Sequence, residues 1–255
     1  MFWNLWKYEI KCSYRNYLFT YAIMLLAALL FNQSNTVLMA LISILFTVMV
    51  FVTVIMTFVM VIRTYQSSMF SKAGYLTLTL PVSSKKLLLV KILNSSLWFI
   101  LSYLVIMLAA MLLAWRTGEI GFGNIFELLS NGLAQMPLEG WLTLLSTFIG
   151  VIEMITLLYM VMNLTHTNYI RRHRGIIAVV LFFAINIVIS YINGIIFPDS
   201  ALDFGFAISM GVVDTTMPAV TSDMSLYITM IEDVLLSVAF FFIASYLIDH
   251  KLEIE

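Results

Sequence analysis

The stretch TVLMALISILFTVMVFVTVIMTFVMVI, Thr36 to Ile62, decides the fold: 27 consecutive residues without a charge, a proline or a glycine. As a helix rising 1.5 Å per residue it is roughly 40 Å long, more than the about 30 Å of a bilayer's hydrocarbon core. The rest of the chain agrees. Of its 255 residues 62% are hydrophobic and 11% charged, where a soluble globular protein carries roughly 25% charged residues. Outward from this run, five more apolar runs are bounded by charge, Pro, Gly or Asn: Asn16 to Phe31, Leu87 to Trp115, Trp141 to Met162, Ile176 to Phe197 and Leu226 to Ile248. The expected fold is all-α and polytopic, a single transmembrane domain over 1–255 with six spans. Residues 1–15 are expected to form an interfacial helix, and 63–86 a long cytoplasmic loop.

The basic residues check this count. Positive flanks resist translocation and stay in the cytoplasm. With six spans drawn, Lys7, Lys11, Arg15, Arg63, Lys72, Lys85, Lys86, Lys91, Arg171, Arg172, Arg174 and Lys251 fall on one side, and Arg116 alone on the other. Both termini are thus expected in the cytoplasm, with the outer loops dominated by Asp and Glu, and the chain is expected in the cell membrane. The formal net charge of -1 excludes a generally basic nucleic-acid binder. The single Cys12 excludes an intrachain disulfide framework or a multi-cysteine metal site. Lys7, Lys11 and Arg15 precede the first run in the manner of a signal peptide, but no small-residue cleavage site follows.

The segment Phe2 to Lys11 mixes aromatics with charges too closely to cross lipid, and reads as an amphipathic helix lying on the membrane with Lys7 and Lys11 snorkelling. Its plainer reading is an aromatic belt extending the first span. Gly123 to Met136 carries Ile125, Phe126, Leu128, Leu129 and Leu133 at helical spacing and reads as a short helix on the outer surface. Pro198 to Ser225 reads as a re-entrant or surface-lying segment.

The longest cytoplasmic connection, Arg63 to Lys86, is RTYQSSMFSKAGYLTLTLPVSSKK. Thr64 to Lys72 has the composition of a short helix, Gly74 would end it, and Leu80-Pro81 imposes an extended turn. Ser83 or Ser84 is placed to cap the third span. A mere linker between helices needs about 2 to 8 residues. The excess length and the apolar Met69, Phe70, Tyr75 and Leu76 point to a docking surface; the competing reading is a second helix resting on lipid.

The run GYLTLTLPVSSKKLLLVKIL, Gly74 to Leu93, resembles the second-to-third-span connection of Gram-positive ABC transporter permeases of the type 2 exporter superfamily, whose pattern is Y-L-x-x-x-L-P-[VI]-[ST] before a basic residue and an apolar span. The ending Asp249 to Glu255, DHKLEIE, resembles their K-L-N-L-E tail, with Glu253 where Asn is usual. The resemblance covers the whole chain in architecture and particular residues only at these two places. It implies a permease that pairs with a second copy or a paralogue and with cytosolic ATP-binding subunits, which would hold the ATP and Mg. It also implies a coupling helix over Gln66 to Tyr75. The residues expected at the ATPase contact are Gln66, Met69, Phe70, Ser71, Lys72, Gly74, Tyr75, Leu76 and Pro81.

No phosphate loop, H-E-x-x-H or G-x-S-x-G motif occurs. A non-catalytic membrane subunit without its own cofactor or metal is expected. His166, His173 and His250 read as solvated loop residues. Three acids fall within or at the edge of spans: Glu153 midway along the fourth, and Glu232 and Asp233 in the outer part of the sixth, expected to face outer water. Ser146, Gly150 and Glu153 share one helical face; Asn186, Ser190 and Asn193 form a stripe on the next span. Glu153 is either a protonated interhelical hydrogen-bonding group or a lining of a transport path. The function expected is an exporter permease for an amphiphilic peptide, antibiotic or lipid-like cargo. Its rivals are an ion-coupled transporter or channel using the three acids, a membrane enzyme, and a non-pumping sensor or immunity protein.

Overall fold

The computed structural model describes residues 2–30, 36–70, 83–116, 121, 124, 127, 130–132, 134–167, 174–196 and 223–250. Among these there is no strand. Six long helices follow one another: α1 (Phe2–Leu30), α2 (Thr36–Met69), α3 (Ser84–Arg116), α4 (Leu138–Thr165), α5 (Arg174–Ile196) and α6 (Asp223–His250). Five of them, α2 to α6, contain segments long and apolar enough to cross a membrane. α1 is not in that set; its C-terminal half holds the expected first span.

Most helix ends extend past the apolar run that announces the helix, by one to three residues as a rule and by more than a turn at the start of α1 and the end of α2. Polar residues flanking a span can stay helical at headgroup depth, because the backbone bonds are satisfied within the helix itself. This corrects two expectations. Thr64 to Met69 is not a separate short helix but the unbroken end of α2, and the Phe70 amide still donates to the Gln66 carbonyl at 2.9 Å. Likewise no break divides Phe2 to Lys11 from the first apolar run; both belong to α1. At the start of α3, the Ser83 carbonyl accepts from Lys86 and Leu87 at 2.9 and 3.2 Å, so Ser83 stands at the cap position. Asn124, Glu127, Ser130, Asn131, Gly132 and Ala134 are helical and exposed. The apolar positions 125, 126, 128, 129 and 133 of that segment, and residues 198–222 of the expected re-entrant piece, lie outside the described residues.

The described residues divide into two compact units, one up to residue 136 and one from residue 137. In the first, α1, α2 and α3 share a core. Side chains of α1 meet those of α3 at nearly constant separations: Glu9 with Lys91, Ser13 with Trp98, Tyr21 with Ser102. Residue numbers rise together on both helices, so α1 and α3 are parallel. On α2 they fall as those of α3 rise, with Thr57 on Ser102 and Ser68 on Lys91, so α2 is antiparallel to both. Trp98 stacks on Tyr17 with ring centres 4.3 Å apart and planes 4° from parallel. Farther along, Met24, Ala28 and Ala109 are buried together, the alanines letting the two backbones approach. In the second unit, α4 and α6 are the main partners. Gly150 lies against Asp233 and the Asn163 amide donates to the Ala244 carbonyl at 3.4 Å, which makes this pair parallel too.

Candidate functional site

Among the described residues two places gather polar chemistry between helices, one in each unit. The first is at the end of unit 1 that leads into residues 71–82. Lys91, seven residues into α3, carries its ammonium inward. Its Nζ donates to Glu9 Oε1 of α1 at 2.7 Å and to the Ser68 hydroxyl of α2, and lies 6.0 Å from the centre of the Tyr65 ring. The Lys91 side chain is 3% exposed and that of Glu9 14%. A cation so deep in protein is stable only when paired and hydrogen-bonded. The carboxylate, hydroxyl and ring supply this from two other helices, and one residue thereby ties all three. Lys91, expected among the basic residues flanking the membrane, is instead an internal connector.

A polar seam continues inward from this knot. The Trp98 indole N–H donates to Ser13 Oγ at 3.0 Å, and Ser13 itself donates back to the Glu9 carbonyl at 2.8 Å. The Tyr21 hydroxyl meets Ser102 Oγ at 2.7 Å and the Trp98 carbonyl at 3.0 Å, and Ser102 also meets Thr57 Oγ1 at 2.9 Å. Within lipid these bonds have no water to replace them, and each fixes register as well as adding stability.

This geometry bears unevenly on the residues expected to dock a partner. Gln66 is exposed; Phe70 is partly covered and meets the Tyr65 ring edge-on at 5.8 Å. Met69 is wholly buried, on the inward face of α2 with Tyr65 and Val61, so its place is in the core rather than on an exposed docking surface. Ser71, Lys72, Gly74, Tyr75, Leu76 and Pro81 lie outside the described residues.

The second place is in unit 2. Gly150 of α4 lacks a side chain where Asp233 of α6 approaches: a Cβ there would stand 3.5 Å from Asp233 Oδ2. One turn along, the Glu153 carboxylate is within electrostatic range of both Asp233 and Glu232. All three acids are partly buried. Thus Glu232 and Asp233, expected to face outer water, are partly buried within electrostatic range of Glu153 across the α4–α6 contact, and the charged groups that act on Glu153 are two more carboxylates. Among the described residues no group of His, Cys, Asp and Glu is arranged to hold a metal ion.

The stripe on α5 is partly covered. The Asn186 amide donates at 2.8 Å to the Phe182 carbonyl of its own helix, while Ser190 and Asn193 are half-buried. His166 is not a solvated loop residue. Its Nδ1 lies 2.9 Å from the Met162 carbonyl and its amide donates to Asn163, which satisfies groups left open at the end of α4. His173 and the side chain of His250 lie outside the described residues.

The close approach at Gly150 carries a test. Gly150→Ala fits at ordinary contact distance and is expected to leave stability unchanged or raise it by about 0.5–1 kcal/mol, the helix preference of alanine over glycine. Gly150→Leu has no such room and is expected to lower the thermal unfolding midpoint of the detergent-solubilised protein. Equal midpoints for the two variants would mean that Asp233 does not close on this position.

No family model, no curated protein and no solved structure matches this chain.

Proposed function

We propose that the chain is the permease subunit of an ATP-binding cassette exporter, a multi-pass protein of the cell membrane that forms half of a translocation path. The observation that carries this reading is the Lys91 knot. A loop that receives a push from a cytosolic ATPase must be joined to the spans stiffly enough to transmit it. Here the helices flanking residues 71–82 are bound to each other and to α1 by one buried cation. The parallel course of α1 along α3, from Glu9 to Ala28, supports α1 as the sixth span. Its exposed Trp3 and Tyr8 suit headgroup depth.

The partners in this reading are a cytosolic ATP-binding subunit, which carries the ATP and Mg, and a second permease copy or paralogue. The cargo is an amphiphilic peptide, antibiotic or lipid-like molecule. The experiment is co-purification with the ATP-binding subunit and measurement of its ATPase activity. Alanine at Gln66, Phe70 and Tyr75 together is expected to weaken subunit binding about tenfold or more, since anchors of such interfaces contribute upwards of 2 kcal/mol. Met69→Leu, a buried swap of nearly equal volume, is expected to leave binding unchanged. Unchanged binding and activity in the triple variant would remove the docking role.

A second reading, an ion-coupled transporter, draws on the acid cluster of Glu153, Glu232 and Asp233. Glu153→Gln separates the two. In the exporter reading it keeps assembly and cargo transport, because an amide still hydrogen-bonds across helices. Loss of transport driven by an ion gradient, with assembly intact, would favour the rival.

A further inference from the structure

Between α1 and α2, near the end of unit 1 that carries the Lys91 knot, a half-open cleft of about 480 Å³ separates two arginines from a long apolar wall. Arg15 of α1 and Arg63 of α2 line it together with Asn16 and Thr64, while Phe19, Met56, Val59 and Met60 line its continuation along the helices. We propose that this cleft binds one anionic phospholipid of the cytoplasmic leaflet, its phosphate between the two guanidiniums and an acyl chain along the methionine and phenylalanine wall.

Three features of the cleft select this occupant. First, its charge is of one sign: two guanidiniums and no carboxylate line it. Both arginines are exposed, and among the described residues neither is in an ion pair. Like charges brought together on neighbouring helices repel, and a shared anion removes that cost. Secondly, polar and apolar linings are segregated by depth. One helical turn separates Arg15 from Phe19, and two separate Arg63 from Met56, so the charged end and the apolar wall succeed each other along the helix axes as headgroup and chain do in a leaflet. Thirdly, the wall opens sideways. Phe19 is 70% exposed and Met56 44%, which leaves an acyl chain an entry from the bilayer. Basic recesses between spans at the cytoplasmic side are sites where anionic headgroups bind. The floor of the cleft includes Ser13 and Tyr17, which also hold Trp98, so an occupied cleft would press on the polar seam of unit 1.

The assignment to the cytoplasmic leaflet rests on the distribution of Lys and Arg, and does not depend on the ATPase partner. The test uses the full chain, purified in detergent and delipidated. It is titrated with phosphatidylglycerol, phosphatidylcholine, glycerol phosphate and inorganic phosphate, reading the thermal midpoint and the lipid retained in native mass spectrometry. Phosphatidylglycerol is expected to bind as one retained molecule, about thirtyfold more tightly than phosphatidylcholine, or five- to sixfold for each arginine. That preference is expected to shrink as salt is raised. Arg15→Gln with Arg63→Gln is expected to abolish it, while Arg15→Lys with Arg63→Lys keeps most of it. Met56→Trp, filling the wall, is expected to weaken both lipids alike. Equal retention of the two phospholipids, a salt-independent preference, or a preference that survives the double glutamine variant would each overturn the proposal. So would equal stabilisation by glycerol phosphate or inorganic phosphate, which would make the site one for a free phosphate. Disulfide cross-linking of two copies through Phe19→Cys, with no phosphatidylglycerol preference, would make the cleft a subunit contact and likewise overturn it.

Discussion

Glu9→Ala is expected to destabilise unit 1 by about 3–5 kcal/mol, the usual cost of removing one partner from a buried ion pair. It is also expected to cost more than removal of the other partner. The two halves of the pair are not equally sheltered: the Lys91 side chain is 3% exposed and that of Glu9 14%. Without Glu9, the ammonium keeps only a hydroxyl and the face of a ring, in a place that water reaches poorly. Without Lys91, as in Lys91→Met, the carboxylate stands nearer to solvent and the methionine fills the space of the lysine stem. The double variant Glu9→Gln with Lys91→Met leaves no buried charge and is expected to recover most of the loss, because a buried pair as a whole adds little over a well-packed apolar replacement. Unfolding midpoints of the four proteins in the same detergent give the order. A double variant no better than Glu9→Ala would show that the loss does not come from a stranded ammonium.

Trp98→Ala is expected to cost about 3–5 kcal/mol as well, by a different route. It opens a cavity between α1 and α3, where the indole is 4% exposed and stacks flat on Tyr17. It also removes the donor to Ser13 and, with the ring gone, Tyr21 and Tyr17 lose the surface that positions them. Trp98→Phe keeps an aromatic face for Tyr17 and gives up chiefly the indole N–H, at about 1 kcal/mol. Near-ultraviolet circular dichroism together with thermal unfolding separates the two effects. Trp98→Phe should retain the cooperative transition, whereas Trp98→Ala should broaden it or move it below the working range. If Trp98→Phe is as damaging as Trp98→Ala, the hydrogen bond to Ser13 matters more than the stack.

Hydropathy made the helices legible. Every apolar run drawn from the sequence lies within a helix or overlaps all but its last residue, since the length a bilayer demands is written directly in the count of apolar positions. Helix ends were less legible, because Thr64 to Met69 and Phe2 to Lys11 are polar enough to leave a hydrophobic window and still helical enough to continue the element. Pairing between helices was not legible at all. Nothing local marks Glu9 as the partner of Lys91, 82 residues away, or Asn163 as a donor to the Ala244 carbonyl. The same limit governs the acids. Glu153, Glu232 and Asp233 each stood out as charges among apolar neighbours, but their meeting depends on α4 and α6 running side by side. Met69 shows the opposite case: in the sequence it sits among loop-like residues, and three-dimensional periodicity with Val61 and Tyr65 turns it inward.

The buried cation Lys91 also governs which motions are open to unit 1. A slip of α1 along α3 by one turn, about 5.4 Å, would carry Glu9 from Lys91 to the level of Leu87 and Leu88 in one direction or of Asn94 and Ser95 in the other, all buried and none a cation. A carboxylate displaced there has no cation to pair with, and Lys91 is left with only the Ser68 hydroxyl and the face of the Tyr65 ring. Sliding of α1 along α3 is thus opposed by the loss of the ion pair. What remains is for α1, α2 and α3 to tilt or rotate as one body, so that a displacement imposed at residues 71–82 reaches the far ends of all three helices together, in the manner of a ratchet with only one tooth.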